Sequence, residues 1–170
     1  GLMTLAGVTF AIAAGDSISN LAAMLPTSGR TYRAADGARQ VDVQGGGNLS
    51  VSAGRDIAGS AFLVGRGVGR VEAGGDVGVD RATQLYVMGV SSGDVPEQAS
   101  IDLVAGGSLS LQSVNNPTAM FVANKDASDA ASGPSFGSQG SFSTFFTYSA
   151  NSRAGAVSKS GDLTYQAVLP

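Results

Sequence analysis

Apolar residues in this chain come in short runs of period two that restart after glycine. Val8, Phe10 and Ile12 alternate with smaller residues. Val41 and Val43 precede one glycine cluster, and Leu49 and Val51 follow it. The same period recurs at Val77 and Val79, Ile101 and Leu103, Leu109 and Leu111, and Leu163 and Tyr165. Alternation at two places every second side chain on one face of a strand, so the pattern predicts many short strands. Strands this short do not stabilise an isolated hairpin. Stacked into long parallel sheets, they bury their aliphatics in a continuous interior column.

The restarts share a pattern: a small residue, glycine, any residue, then Asp, Ser or Asn, then a branched aliphatic. The copies are Ala14-Gly15-Asp16-Ser17-Ile18, Gly45-Gly46-Gly47-Asn48-Leu49, Ala53-Gly54-Arg55-Asp56-Ile57, Ala73-Gly74-Gly75-Asp76-Val77 and Ala105-Gly106-Gly107-Ser108-Leu109, with a degenerate sixth at Lys159-Ser160-Gly161-Asp162-Leu163. Gly15, Gly46, Gly54, Gly74 and Gly106 are expected as structural corners with positive backbone dihedrals. The polar residue is expected to bond its own turn and the aliphatic to open the next strand. Ile18, Leu49, Ile57, Val77, Leu109 and Leu163 lie 31, 8, 20, 32 and 54 positions apart. A spacing of 8 fits two faces of one coil, 20 a full turn, and 31 or 32 a turn with an added face or loop. A corner reused this often predicts an all-β solenoid, with a rod on the order of 25–35 Å at about 4.8 Å per coil.

Two stretches break the pattern. Residues 20–40, with Pro26, Gly29 and three arginines, read as a loop or as a short helix beginning near Leu21-Ala22-Ala23-Met24. Residues 113–153 read as a loop or capping excursion within a single β-helical segment, 1–170. Their Phe-rich tract, 136–148, holds five of the eleven aromatics and no charge. It is expected to cover a flank or end of the stack. The sharper alternative is a partner-binding platform for a sugar or protein, formed by Phe142, Phe145, Phe146 and Tyr148.

Composition narrows the field. With 43% hydrophobic residues, 170 positions suffice for one domain with a core. Twenty-five glycines, 6% aromatics and no tryptophan favour thin strands and turns over thick helices. Cysteine is absent, so no disulfide framework exists, and the absence of histidine removes the commonest neutral-pH base and metal ligand. A net charge of −3 gives no electrostatic case for nucleic acid. Arg30, Arg33 and Arg39 are interleaved with Asp36 and Asp42, as in a solvated loop. Gly1 to Ala14 lacks a basic leader and is too short to span a bilayer, so no membrane span is expected. Residue 1 is not methionine, and the chain reads as a piece of a longer polypeptide.

At 45–57, GGGNLSVSAGRDI, then VEAGGDVGV at 71–79 and LVAGGSLSLQS at 103–113, the chain resembles the haemagglutinin repeats of filamentous haemagglutinin-like adhesins, exoproteins of bacterial two-partner secretion. SFSTFFTYSANSRAGAVSKSGDLTY, 141–165, is similar to a further stretch of such proteins. The resemblance implies a right-handed parallel β-helix exported through an outer-membrane transporter partner, then secreted or displayed at the cell surface, where a host surface or glycan would be its partner. Nothing matches a secretion signal or a toxin tip, so neither activity carries over.

Candidate chemistry is sparse. Asp16, Asp56, Asp76 and Asp162 sit at glycine-rich corners and are oxygen donors of the kind calcium takes. Tandem nonapeptides would be needed to align them, and Gly74 to Asp80 is a single imperfect approximation. No metal or cofactor is therefore expected. Asp76 with Asp80, or Glu72 with Arg70, offers charged groups for a polysaccharide-processing enzyme, but neither pairing is distinctive. Gly65-Arg66-Gly67-Val68-Gly69 misplaces the third glycine of a dinucleotide loop and reads as a flexible turn. Asn48-Leu49-Ser50 is a sequon by letter, at a predicted strand start. The expectation is an adhesive, non-enzymatic surface segment. The alternatives are a β-helical polysaccharide lyase or glycosidase and an inert spacer.

Overall fold

Fifteen strands and no helix make up the described part of this computed structural model, which comprises residues 1–4, 7–89, 98–116 and 150–166. The strands are β1 Leu2–Met3, β2 Phe10–Ala14, β3 Ile18–Ser19, β4 Ala22–Leu25, β5 Thr27–Arg33, β6 Arg39–Gly45, β7 Leu49–Ala53, β8 Ile57–Ala58, β9 Ala61–Val64, β10 Gly67–Ala73, β11 Thr83–Val87, β12 Ala99–Ala105, β13 Leu109–Asn115, β14 Ser152–Ser158 and β15 Leu163–Tyr165. A six-stranded sheet runs β1-β4-β9-β11-β13-β15 and a five-stranded sheet β14-β12-β10-β7-β2. Every pairing within these two sheets is parallel.

The chain alternates between them. Each pass runs through one strand of the five-stranded sheet and then one of the six-stranded sheet, and the next pass lands beside it. Parallel strands in register stack like on like. Val51, Val71 and Leu103 line up with Ile12 on one side and Ala156 on the other. Opposite them, Ala23, Phe62, Leu85 and Val114 form a second column, and Leu25, Val64 and Val87 a third. These columns meet in one core.

The alternating pattern explains the burial. In β7, Leu49, Val51 and Ala53 point inward while Ser50 and Ser52 face solvent. A fully buried Val, Leu, Ile or Phe stabilises by about 1.5–3 kcal/mol. The second pass buries Leu49, Val51, Ile57, Phe62 and Val64 together. No single strand could hold alone; the pass is the stabilising unit.

Several expectations are corrected. Leu21 to Met24 do not begin a helix, because Ala23 and Leu25 are needed on one face to cover Phe62 and Val64, and a strand supplies that period. Most of 20–40 is not loop either: β5 and β6 pair antiparallel from Thr27↔Gly45 to Arg33↔Arg39. Val41 and Val43 therefore belong to a hairpin rather than to the parallel stack. The hairpin tip closes with Ala38 N–H on Asp36 Oδ1 at 2.9 Å. Val77 and Val79 do not form a strand. Val77 makes only single bridges, to Ile57 and Leu109, and Gly78 at φ +71 turns Val79 out into solvent. Of the flexible turn read at 65–69, Gly65 and Arg66 turn, whereas Gly67 to Gly69 already belong to β10. β13 reaches Asn115 and β14 starts at Ser152, so both ends of the 113–153 stretch are strand rather than loop, and 117–149 lie outside the described residues.

The two edges of the stack differ. From the five-stranded sheet the chain turns to the corner aliphatics Ile18, Ile57, Val77, Leu109 and Leu163 through 15–17, 54–56, 74–76, 106–108 and 159–162, three or four residues each. In the other direction it passes through 26–48, 65–66, 88–98 and 116–151. Among the described residues, the antiparallel hairpin of β5 and β6 lies on that second edge.

Candidate functional site

At the short edge, the corner aliphatics Ile18, Ile57, Val77, Leu109 and Leu163 form one parallel ladder across all five passes. Each donates upward: Ile18 N–H to Asp56 C=O, Ile57 to Asp76, Val77 to Ser108 and Leu109 to Asp162, at 2.8–2.9 Å. The polar residue before each aliphatic returns the link. Asp56 N–H donates to Ser17 Oγ at 3.3 Å, Asp76 N–H to Asp56 Oδ1 at 2.7 Å, Ser108 N–H to Asp76 Oδ1 at 2.7 Å and Asp162 N–H to Ser108 Oγ at 3.3 Å. The expectation that these side chains bond their own turns is corrected. Stacking brings the next backbone N–H within reach, and the short side chain takes it.

The glycines also serve a different purpose from the one expected. Gly15, Gly54, Gly74 and Gly106 are not among the residues with positive φ. A Cβ on Gly54 would overlap Gly15 O, one on Gly74 would overlap Gly54 O, and one on Gly106 would overlap Gly74 O. Close approach of successive corners excludes a side chain. Gly46 does have positive φ, +76, but it lies at the opposite edge, where the Gly45–Leu49 copy joins the hairpin to β7. That copy marks a different corner. The sixth copy keeps the short edge with one extra residue, since Ser158 pairs with Ala105 and Leu163 with Leu109.

At the long edge, Arg66 anchors the hairpin. Its Nη2 donates to Gly45 O at 3.1 Å, and a Cβ on Gly46 would strike Arg66 O. The hairpin root adds Val43 to a satellite cluster of Leu63, Met88, Met24 and Tyr86. Met24, Leu63 and Tyr86 share one in-register column that is offset by one residue from the core column, on the outer face of the six-stranded sheet. Beside it runs a polar file. Tyr86 Oη donates to Gln84 Oε1 at 2.6 Å, and Gln84 Nε2 donates to Gln112 Oε1 at 2.8 Å. An apolar strip, with Leu63 and Met88 buried in it, therefore runs beside amides and a phenol on this face.

Phe142, Phe145, Phe146 and Tyr148 lie outside the described residues. Of the calcium candidates, Asp56 and Asp76 spend Oδ1 on the corner ladder, Asp16 sits 3.4 Å from Arg55 in an exposed pair, and Asp162 ends the ladder. No group of three His, Cys, Asp or Glu that could hold a metal occurs among the described residues. Arg70 and Glu72 do meet, with Nε donating to Oε1 at 2.9 Å, and the hydrogen bond and charge of Glu72 raise the Arg70 pKa above its usual value. Arg153 pairs with Asp102 on the same outer face of the five-stranded sheet. Both pairs are largely exposed, so each contributes little stability. Asn48 Oδ1 accepts Val68 N–H at 3.0 Å, so the sequon asparagine ties one pass to the next.

Sequence reasoning missed Gln84, Tyr86 and Gln112. Thr83-Gln84-Leu85-Tyr86-Val87 alternates at period two, and that was the available signal. Arg66 carries no signal in the sequence, because its role depends on the β5–β6 hairpin, whose pairing no local alternation marks. No helix among the described residues is long and apolar enough to cross a membrane. Compared with protein-family models, curated proteins and solved structures, the chain matches none.

Proposed function

We infer that the chain is a right-handed parallel β-helix from a secreted or surface-displayed bacterial protein of the filamentous haemagglutinin-like kind, and that it works by shape. Its ladder projects a binding surface toward cells, glycans or other bacteria. Export through an outer-membrane transporter is part of this reading, and no residue performs covalent chemistry. One observation carries it: the corner ladder repeats at every pass, while the β5–β6 hairpin and the strand ends joined by 88–98 and 116–151 lie at the opposite edge. In stacked-repeat proteins, insertions on one face are the usual site of partner binding.

The test is binding of the purified chain to glycan arrays and to host cells, beside a variant in which 88–98 is replaced by Gly-Arg. Binding that the replacement weakens without loss of fold supports the reading. Equal binding by both, or none by either, leaves a spacer.

The polysaccharide-processing reading draws on Arg70, Glu72, Asp102 and Arg153, which share one outer face. Incubation with polyuronates and other glycans distinguishes it. New reducing ends or unsaturated products that Glu72→Gln abolishes would replace the adhesive reading with an enzymatic one.

A further inference from the structure

We propose that the outer face of the six-stranded sheet binds an uncharged sugar chain, at a site formed by Gln84, Tyr86, Gln112 and Asn115 beside Met24. The proposal rests on the adhesive reading above and adds to it a place and a ligand class.

A β-bulge builds the site. Thr83 pairs with Leu111 but Gln84 pairs with Ser113, so Gln112 is one residue more than the register needs. Bulges re-aim a side chain, and natural sheets keep them next to functional sites. This one sets two glutamines side by side on neighbouring passes, with Gln84 Nε2 donating to Gln112 Oε1 at 2.8 Å. Tyr86 and Asn115 then face outward as a register pair.

The hydrogen bonds of the site run one way. Tyr86 Oη donates to Gln84 Oε1 at 2.6 Å, Gln84 Nε2 donates to Gln112 Oε1, and the series stops at the Gln112 amide nitrogen. A carboxamide nitrogen carries two hydrogens, and those of Gln112 meet no acceptor among the described residues. Asn115 Nδ2 donates to Ser113 Oγ at 2.8 Å, which leaves its Oδ1 as an acceptor. Gln84, Tyr86, Gln112 and Asn115 are all partly exposed. A ligand that both accepts and donates completes the series.

Charge decides the class. None of the six strands of this sheet contains Asp, Glu, Lys or Arg, whereas the other outer face carries Arg70, Glu72, Asp102 and Arg153. An ionic ligand would lose water here without gaining a counter-charge. A peptide joins a sheet through main-chain bonds at an open edge, and β9, β11 and β13 are paired on both sides. Only side chains reach a ligand on this face. Sugar hydroxyls give and take hydrogen bonds, and the C–H face of the ring packs on apolar and aromatic surface. Met24 and Tyr86 supply that surface in the same column, with Leu63 between them.

The experiment is calorimetric titration of the full chain with cellopentaose, maltohexaose and chitohexaose, beside hexagalacturonate as the charged counterpart. At least one neutral oligosaccharide should bind, and hexagalacturonate should bind more weakly. Gln112→Glu keeps the Oε1 that Gln84 needs and removes both free donors, so affinity should fall about tenfold, as for one lost hydrogen bond, with an unchanged melting curve. Gln112→Ala should weaken binding to a similar extent, and Ser52→Ala, on the other outer face, should leave it unchanged. Absence of binding by all three neutral sugars, tighter binding of hexagalacturonate, or equal affinity of the parent and both Gln112 variants would overturn the proposal. Attachment to host cells that persists in any of these cases leaves the adhesive reading standing without this site.

Discussion

Asp56 Oδ1 and Asp76 N–H lie 2.7 Å apart, one full pass of chain between them, and Asp76 Oδ1 holds Ser108 N–H at the same distance. A side chain thus does work at the corner that backbone carbonyls do in the strands. Asp76→Ala leaves a part-buried N–H without its acceptor, at a cost of about 1–3 kcal/mol. In a chain of this size that lowers Tm by about 2–4 °C per kcal/mol. Asp76→Asn keeps Oδ1 and should recover most of the loss in thermal melts. Identical melting of the two variants would mean that the link contributes nothing.

Gly74→Ala and Gly15→Ala separate close approach from local conformation. The first puts a methyl group into the Gly54 carbonyl, and the corner must shift; a loss of about 1–3 kcal/mol is expected, as for an overpacked interior. The second should be neutral for the isolated chain. If both destabilise equally in urea titrations, turn conformation rather than stacking requires these glycines.

Thr83 is fully buried in the interior column beside Leu111, and its Oγ1 is the one buried side-chain polar atom without a hydrogen-bond partner among the described residues. An unpaired hydroxyl in an apolar setting costs about 1–3 kcal/mol. Thr83→Val keeps the branched shape and removes the hydroxyl, so the melting temperature should rise. A fall would show that the hydroxyl is satisfied in solution.

Arg66 and Gly65 form the shortest crossing at the long edge, joining Val64 to Gly67. Gly67 is the register partner of Ala99, and Val64 that of Val87. Replacing 88–98 with Gly-Arg should therefore join β11 to β12 without strain. Circular dichroism should match the parent, and melting should show a loss of about 1.5–3 kcal/mol for the buried Met88 taken from the satellite cluster. A molten or aggregated product would mean that 88–98 is part of the folding unit.

Much of the stack was legible before any coordinates. Val51, Ile101, Leu103 and Leu109 declared themselves by alternation, because an inward-facing side chain in a stacked strand has to be apolar. β9 and β11 were overlooked: Ala61-Phe62-Leu63-Val64 is apolar on both faces, with Leu63 covered by the satellite cluster, and Gln84 and Tyr86 have no glycine pattern before them. The glycine pattern marked the short edge at Gly15, Gly54, Gly74 and Gly106, yet by letter Gly46 looked the same while sitting opposite. Spacing alone does not say which edge a corner occupies. The Asp56 to Asp76 link was invisible for a related reason, since a residue that caps its own turn and one that reaches the next pass share one composition. Tyr86 and Arg66 draw their roles from neighbours remote in sequence, which no local pattern records.

Because every corner reaches the Ile18-to-Leu163 ladder after three or four residues, the phase of the interior columns is set there and renewed with each pass. Chain added at the far margin, whether a hairpin at 27–45 or a longer excursion, changes what the molecule displays without moving Val71 off Val51 or Leu103 off Val71. Timing and ornament are thereby decoupled: the first is conserved by geometry and the second is open to exchange.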